Sequence, residues 1–332
     1  MVNDLHTRLI IALGASLKGM KSLPRGRLPQ GKGISIAVHP SLSSSTFRPC
    51  LDVATKASNA ICFVRPGHYN ICFIIHQQNI FGPQSLSMRC AIISDIHSNL
   101  EALNAVLEKI DNTGVDQIVS LGDAVGYNAN PNECVRILRE RSIPTLIGNH
   151  DAVAASLEEP DDFNFVARKA VLWTRAALDT ENSLFLRQQP ESRPLIDGVK
   201  LVHGSLLHRD HYIMSRFDRQ ENLYRMHTAT PPIHLLFFGH THHQCAFVAM
   251  DNEIRPVGQK KFQLKQGASF IVNPGSVGQP RDRDPRAAFL IYDDEAGSIE
   301  FFRAPYDLDA CTQKILSAGL PPELAERLYQ GW

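Results

Sequence analysis

Six short apolar runs in this chain each lead straight into Asp, Asn or His, and that repetition limits the fold more than any other feature. Cys90 to Ser94 runs into Asp95 and His97, and Gln117 to Leu121 into Asp123. Pro144 to Ile147 runs into Asn149 and His150, Val199 to Val202 into His203, His234 to Phe238 into His240 and His242, and Phe270 to Val272 into Asn273. Short apolar runs of this kind read as strands buried on both faces. Helical stretches alternate with them. Leu100, Leu103, Leu107 and Ile110 share one face of a helix predicted from Asn99 to Asp111. A second helix is expected after Asn130, with Pro131 at its first position and Val135 and Leu138 continuing its apolar face. In such α/β chains the carboxyl ends of the strands converge on one crevice, so polar side chains scattered over the sequence can meet there.

Two further elements follow from pattern. Ala287 to Tyr292 and Ile299 to Phe302 are expected to pair as a hairpin across Glu295-Ala-Gly-Ser. Asp162 to Arg187 reads as helical, because Phe163, Val166, Ala170, Trp173 and Ala177 recur at alternating steps of three and four, and this stretch is expected to cap the crevice.

A single histidine after one strand would be an ordinary structural residue, but the whole set asks for a common purpose. Asp and Asn supply hard oxygen and His supplies imidazole nitrogen, a mixture that suits Mn, Fe, Zn or Ni better than Ca or Cu(I). Covalent catalysis has no support, since no Gly-x-Ser-x-Gly elbow is present, and the near-Walker stretch Gly14 to Ser22 is spoiled by the surplus Met20.

Taken together, Asp95-Ile-His97, Gly122-Asp123, Gly148-Asn149-His150-Asp151, His203-Gly204 and Gly239-His240-Thr-His242 resemble the motifs of the calcineurin-like metallophosphoesterases, in order. The segment Asn273 to Arg281 and the closing Gly-Leu-Pro-Pro-Glu are similar to a small prokaryotic, phosphodiesterase-like branch of that family. The resemblance covers residues 88–332. It implies an α/β fold, a four-layer α-β-β-α sandwich with two mixed sheets and metals at one rim. It also implies that Asp95, His97, Asp123 and His242 hold one divalent ion and Asp123, Asn149, His203 and His240 the other, with Asp123 bridging. The implied reaction is in-line attack of a metal-bridging hydroxide on a phosphodiester or phosphomonoester. His150 would be the general acid, and Asp151 would orient its imidazole. The expected partner is a small phosphorylated substrate. A non-catalytic scaffold of the same fold and a nuclease are the rival readings.

Other polar residues read more plainly. Asn99 is expected to cap the following helix rather than touch substrate. His208, Arg209 and His211 are either phosphate contacts or a solvated loop, and Asn273 and Ser276 either line the pocket or shape a turn. His227, His234 and His243 read as structural or bystander residues, and Arg283 as part of a charged surface loop.

The first 87 residues differ in kind. They carry nine Lys or Arg against Asp4 and Asp52, while the remainder carries 25 basic against 32 acidic residues. No sustained periodicity runs through them, and six prolines break them up, so they are expected to be a disordered leader or a mis-assigned start, with the domain beginning at Met88. The acidic body lacks a basic groove, which disfavours long nucleic acids. No apolar run approaches the roughly 20 residues needed to cross a bilayer. Seven cysteines without a Cys-x-x-Cys pair speak against disulfides and a zinc knuckle, and for a reducing, cytoplasmic setting.

Overall fold

The computed structural model describes the backbone of Ile36–Pro40 and Ile71–Ile75, and residues 88–251 and 253–332. The chain divides into two units, Met1–Gln84 and Ser85–Trp332. In the first, β1 (Ile36–Pro40) and β2 (Ile71–Ile75) pair antiparallel. The remaining residues of the expected leader lie outside the described ones.

In the second unit the chain builds two mixed sheets. One contains β3 (Arg89–Ile93), β4 (Gln117–Ser120), β10 (Lys261–Gln263), β12 (Ala287–Asp293) and β13 (Ser298–Ala304), in the order β10-β13-β12-β3-β4. The other contains β5 (Ser192–Ile196), β6 (Val199–Val202), β7 (Leu235–Phe237), β8 (Gln244–Met250), β9 (Glu253–Pro256) and β11 (Ser269–Pro274), in the order β5-β6-β7-β11-β8-β9. The parallel pairs are β3 with β4, β6 with β7, and β7 with β11.

Alternation along each strand sorts side chains into layers. Cys90 and Ile92 of β3, Leu290 and Tyr292 of β12, Leu235 and Phe237 of β7, and Phe270 and Val272 of β11 share one cluster between the sheets. Their neighbours Ala91, Ile93, Phe289 and Ile291 face outward, where α1 (Leu100–Thr113) covers them with Leu103, Val106, Leu107 and Ile110. On the far side, Leu236 and Ile271 pack under Leu223 and Met226 of α6 (Arg216–Thr228). The result is the expected four layers, helix, sheet, sheet, helix. Full burial of a side chain such as Phe237 contributes roughly 1.5 to 3 kcal/mol, so the inter-sheet layer carries much of the stability.

Three expectations about elements change. Pro144 to Ile147 is not a full strand; Thr145 alone bridges Ser120, at the free edge of β4, because Pro144 has no N–H to extend the ladder. The stretch Asp162 to Arg187 is two helices, α4 (Phe165–Ala177) and α5 (Thr180–Arg187). Leu178 leaves the helix in an extended conformation, and the Asp179 carboxylate restarts it by accepting from the Asn182 N–H at 2.8 Å. At α2 (Pro131–Glu140), Asn130 is the N-cap but its side chain makes no capping bond. The Ala287 to Phe302 hairpin and the Asn99 cap, which accepts from Ala102 N–H at 3.0 Å, are as expected. At the chain's end, α7 (Leu308–Ser317) and α8 (Pro322–Gln330) pack with Ala167 and Ala170 of α4 and with Tyr127. Among the described residues no helix is long and apolar enough to cross a membrane.

Candidate metal centre

The loops that follow β3, β4, β6 and β7 meet at one rim, and backbone bonds stitch them together. Asp95 N–H donates to Gly122 O at 3.0 Å and His97 N–H to Asp123 O at 2.9 Å, while Gly239 N–H donates to His203 O at 2.7 Å. The turns are tight enough to force residues with side chains into left-handed backbone: Asp95 (φ 55°), His97 (48°), Asp123 (52°), His240 (61°) and His242 (61°). Such conformations cost on the order of 1 to 3 kcal/mol each and survive only where the surroundings hold them.

All seven residues expected to bind metal come together here, and all are buried. Ligand-capable atoms form two groups, Asp95, His97, Asp123 and His242, and Asp123, His203 and His240; within each the atoms lie within 4.8 Å of one another. Asn149 adjoins the second group, with its Oδ1 3.3 Å from His203 Nε2.

Backbone carbonyls decide which nitrogen of each ring is free. A carbonyl only accepts, so His97 Nδ1 donates to Val125 O (3.0 Å), His203 Nδ1 to Leu121 O (2.9 Å), and His242 Nδ1 to Gln279 O (2.7 Å). His240 is turned the other way: its Nε2 donates to Asp210 O at 3.1 Å, leaving Nδ1 for the site. Burial, foremost, holds His97 and His242 well below the ordinary histidine range, so their rings are neutral. Their Nε2 lone pairs then face each other at 3.0 Å. Two acceptors in contact repel, and a shared proton or a metal ion between them relieves that repulsion.

Asp123 has the same need. Its Oδ1 accepts from His150 N–H at 2.9 Å. Its Oδ2 is buried and meets no full hydrogen-bond geometry among the described residues, 3.5 Å from His97 Nε2 and 3.3 Å from His203 Nε2. Against burial, which lowers it, the Asp123 carboxylate draws His203 up to about 9. This pair too is arranged to take up positive charge. Asp95 accepts the His240 N–H on both oxygens, at 3.1 and 3.2 Å, and keeps Oδ1 3.3 Å from His242 Nε2. The donor set therefore fits divalent cations of the borderline kind in two adjoining positions.

His150 lies beside this cluster, its ring 4.8 Å from His97, 4.4 Å from Tyr127 and 4.7 Å from Phe163. Phe163, in the turn that precedes α4, thus packs on the His150 ring. Asp151 departs from expectation. Its oxygens accept from the Val125 and Gly148 N–H groups at 3.1 and 3.0 Å, and no hydrogen bond joins it to the His150 ring. At the third position of α3 (Asn149–Ala154) its carboxylate is aimed back at the helix start, away from its neighbour's side chain. Aromatic packing orients the imidazole instead.

The undecided residues also find places. Arg209 contacts no open crevice: it is buried, paired with Glu158, Glu191 and Asp210. Asn273 holds the histidine loop by donating to Gly239 O at 2.7 Å and Thr241 Oγ1 at 3.0 Å, and Ser276 Oγ donates to Asp95 O at 2.8 Å. Both are supports rather than pocket lining. His208 is largely exposed, and His211 lies in the same loop, its N–H bonded to His208 O. His227 bonds Ser269 and His243 bonds the Thr241 carbonyl, while Arg283 lies 5.5 Å from the Trp332 ring centroid. Sequence reasoning missed Tyr127, Tyr212 and Arg281. Only Arg281 left a trace, as the last residue of a motif-bearing segment.

Comparison with known proteins agrees with this architecture. The model of the calcineurin-like phosphoesterase superfamily domain matches residues 88–296. An uncharacterized protein of Methanocaldococcus jannaschii is 38% identical over 248 residues, 73% of this chain and 97% of that protein. The crystal structure of a metallophosphoesterase from Sphaerobacter thermophilus superposes with a TM-score of 0.63 at 36% identity, over 74% of this chain and all of that one. A hypothetical protein from Pyrococcus horikoshii OT3 shares the fold at a TM-score of 0.61 and 20% identity, over 74% of this chain and 98% of that one. The chain belongs to the calcineurin-like phosphoesterase superfamily.

Proposed function

We propose that the chain is a binuclear-metal-dependent phosphoesterase that hydrolyses a phosphodiester or phosphomonoester bond. The observation that carries this reading is Asp123 Oδ2, a buried carboxylate oxygen that stands 3.5 Å from His97 Nε2 and 3.3 Å from His203 Nε2 and so belongs to both ligand groups. One divalent ion would be held by Asp95, His97, Asp123 and His242, and the other by Asp123, Asn149, His203 and His240. Mn, Fe, Zn and Ni suit these donors, and a bound pair supplies an activated water and offsets charge developing on the phosphoryl oxygens.

The rest falls to the chain's own side chains. His150 Nδ1 is buried without a partner against Gly126, so Nε2 is the atom through which the ring can pass a proton to the leaving oxygen. Burial holds the resting ring to about 4, so it is neutral near pH 7. A phosphate anion beside it would raise its proton affinity, as the Asp123 carboxylate already does. Tyr127 and Phe163 keep water from the flanks of the ring.

The test is metal analysis together with hydrolysis of bis-p-nitrophenyl phosphate and p-nitrophenyl phosphate under Mn, Ni, Zn and Mg. Two ions per chain with metal-dependent turnover is the expected result. His150→Asn should retain both ions and lose roughly 10²- to 10⁴-fold in turnover, the usual range for a general acid. A metal-loaded chain inert to every ester would make the domain a binding scaffold instead.

A further inference from the structure

Arg281 is a half-buried cation without an ion-pair partner among the described residues. Its Nη2 donates to Tyr127 Oη and Gln279 Oε1, both at 3.2 Å, and its Nε is buried with no acceptor at all. Neither acceptor is charged. The contrast with its peers is direct: Arg209 is surrounded by Glu158, Glu191 and Asp210, and Arg303 is paired with Asp282. A buried donor left without an acceptor costs about 1 to 3 kcal/mol, and a guanidinium held without a counter-charge is a standing attraction for an anion.

Its location says which anion. Arg281 N–H donates to the carbonyl of His242, at 3.3 Å. Its guanidinium carbon lies 5.8 Å from the centroid of the Tyr127 ring, which itself lies 4.6 Å from His97 and 4.4 Å from His150. Tyr212 also acts electrostatically on the Arg281 guanidinium, and its ring lies 4.0 Å from that of His240. The guanidinium thus sits between two tyrosines, one against each half of the candidate metal centre.

We propose that Arg281, steadied by Tyr127 and Gln279, is the substrate-anion anchor of this site: it binds a non-bridging oxygen of the phosphate, and so favours the dianion of a phosphomonoester over the monoanion of a diester. The inference rests on the phosphoesterase reading above and deepens it by naming the substrate charge. Coulomb attraction grows with ligand charge, and charge-assisted hydrogen bonds to phosphate are among the strong ones.

The experiment compares wild type with Arg281→Gln and Arg281→Ala at full Mn loading. Inorganic phosphate binding is followed by calorimetry, and KM and kcat are measured for p-nitrophenyl phosphate and bis-p-nitrophenyl phosphate. Metal content should stay unchanged, and phosphate affinity should fall roughly 10- to 100-fold. KM should rise more for the monoester than for the diester, and added guanidinium should partly restore Arg281→Ala, which a purely structural role would not allow. Unchanged phosphate affinity, or equal losses on both esters, would overturn the proposal. Should the glutamine variant misfold, Tyr127→Phe, which removes one acceptor from the guanidinium, must show a smaller shift in the same direction or the proposal fails. Because calorimetry needs no turnover, a chain that binds phosphate through Arg281 but hydrolyses neither ester would sink the enzyme reading alone.

Discussion

Asp123 concentrates the problem that this site solves at the scale of single residues. One oxygen is tied to the His150 N–H and the other is left bare between two imidazole nitrogens, so the carboxylate belongs to both ligand groups. Asp123→Asn should therefore lower the content of both metals together, read by elemental analysis, where Asn149→Ala should lower one. Gly148 explains why the motif begins with glycine: an added Cβ would lie 2.0 Å from Asp123 Oδ1 and 2.4 Å from its backbone nitrogen. Gly148→Ala is expected to displace Asp123 and abolish metal binding while circular dichroism shows a folded chain. Residue identity was thus a good guide to which side chains would cluster at the rim, because Asp and Asn supply hard oxygen and His supplies imidazole nitrogen. It misjudged Asp151, since adjacency in sequence says nothing of where a helix's first turn aims a carboxylate.

Among the elements, apolar runs were the reliable signal. β3, β4, β6, β7 and β11 lie where buried runs predicted strands, because both of their faces are covered. β5, β8, β9 and β10 went unpredicted; their faces are mixed or exposed, and such patterns carry little signal. The helices on the outer face depend more on their ends. Helix α6 begins with a capping box, in which the Ser215 hydroxyl accepts from Asp218 N–H and the Asp218 carboxylate accepts from Ser215 N–H. Partial burial raises the Asp218 pKa, but the bonds from Ser215 and Met214 outweigh it and hold it below the ordinary value. A depressed carboxylate contributes stability that is complete above its unfolded pKa of about 4 and is lost as pH falls through the folded value. Asp218→Asn should therefore lower the melting temperature at pH 7 and flatten its decline on acidification, seen by calorimetry between pH 7 and pH 3. An identical acid limb in both proteins would rule out the linkage.

For the whole molecule, the unit that spans Ser85–Trp332 has its own inter-sheet core and outer helix layers, with Phe237, Phe289 and Ile92 fully buried. A chain begun at Met88 is expected to keep the melting temperature, metal content and esterase activity of the full chain, and a large loss in any of them would give residues 1–87 a role in the domain. The linear sequence determined which Asp, Asn and His side chains stand at strand ends, and the family, because motif order and apolar periodicity are local properties of a chain. Only the tertiary structure decided which nitrogen each histidine keeps free, that Asp151 braces backbone, and that Arg281 lies beside the site with no ion pair among the described residues. Each of these depends on a carbonyl, an N–H or a missing carboxylate supplied by a distant segment, and no pattern along the chain records what a distant segment will bring.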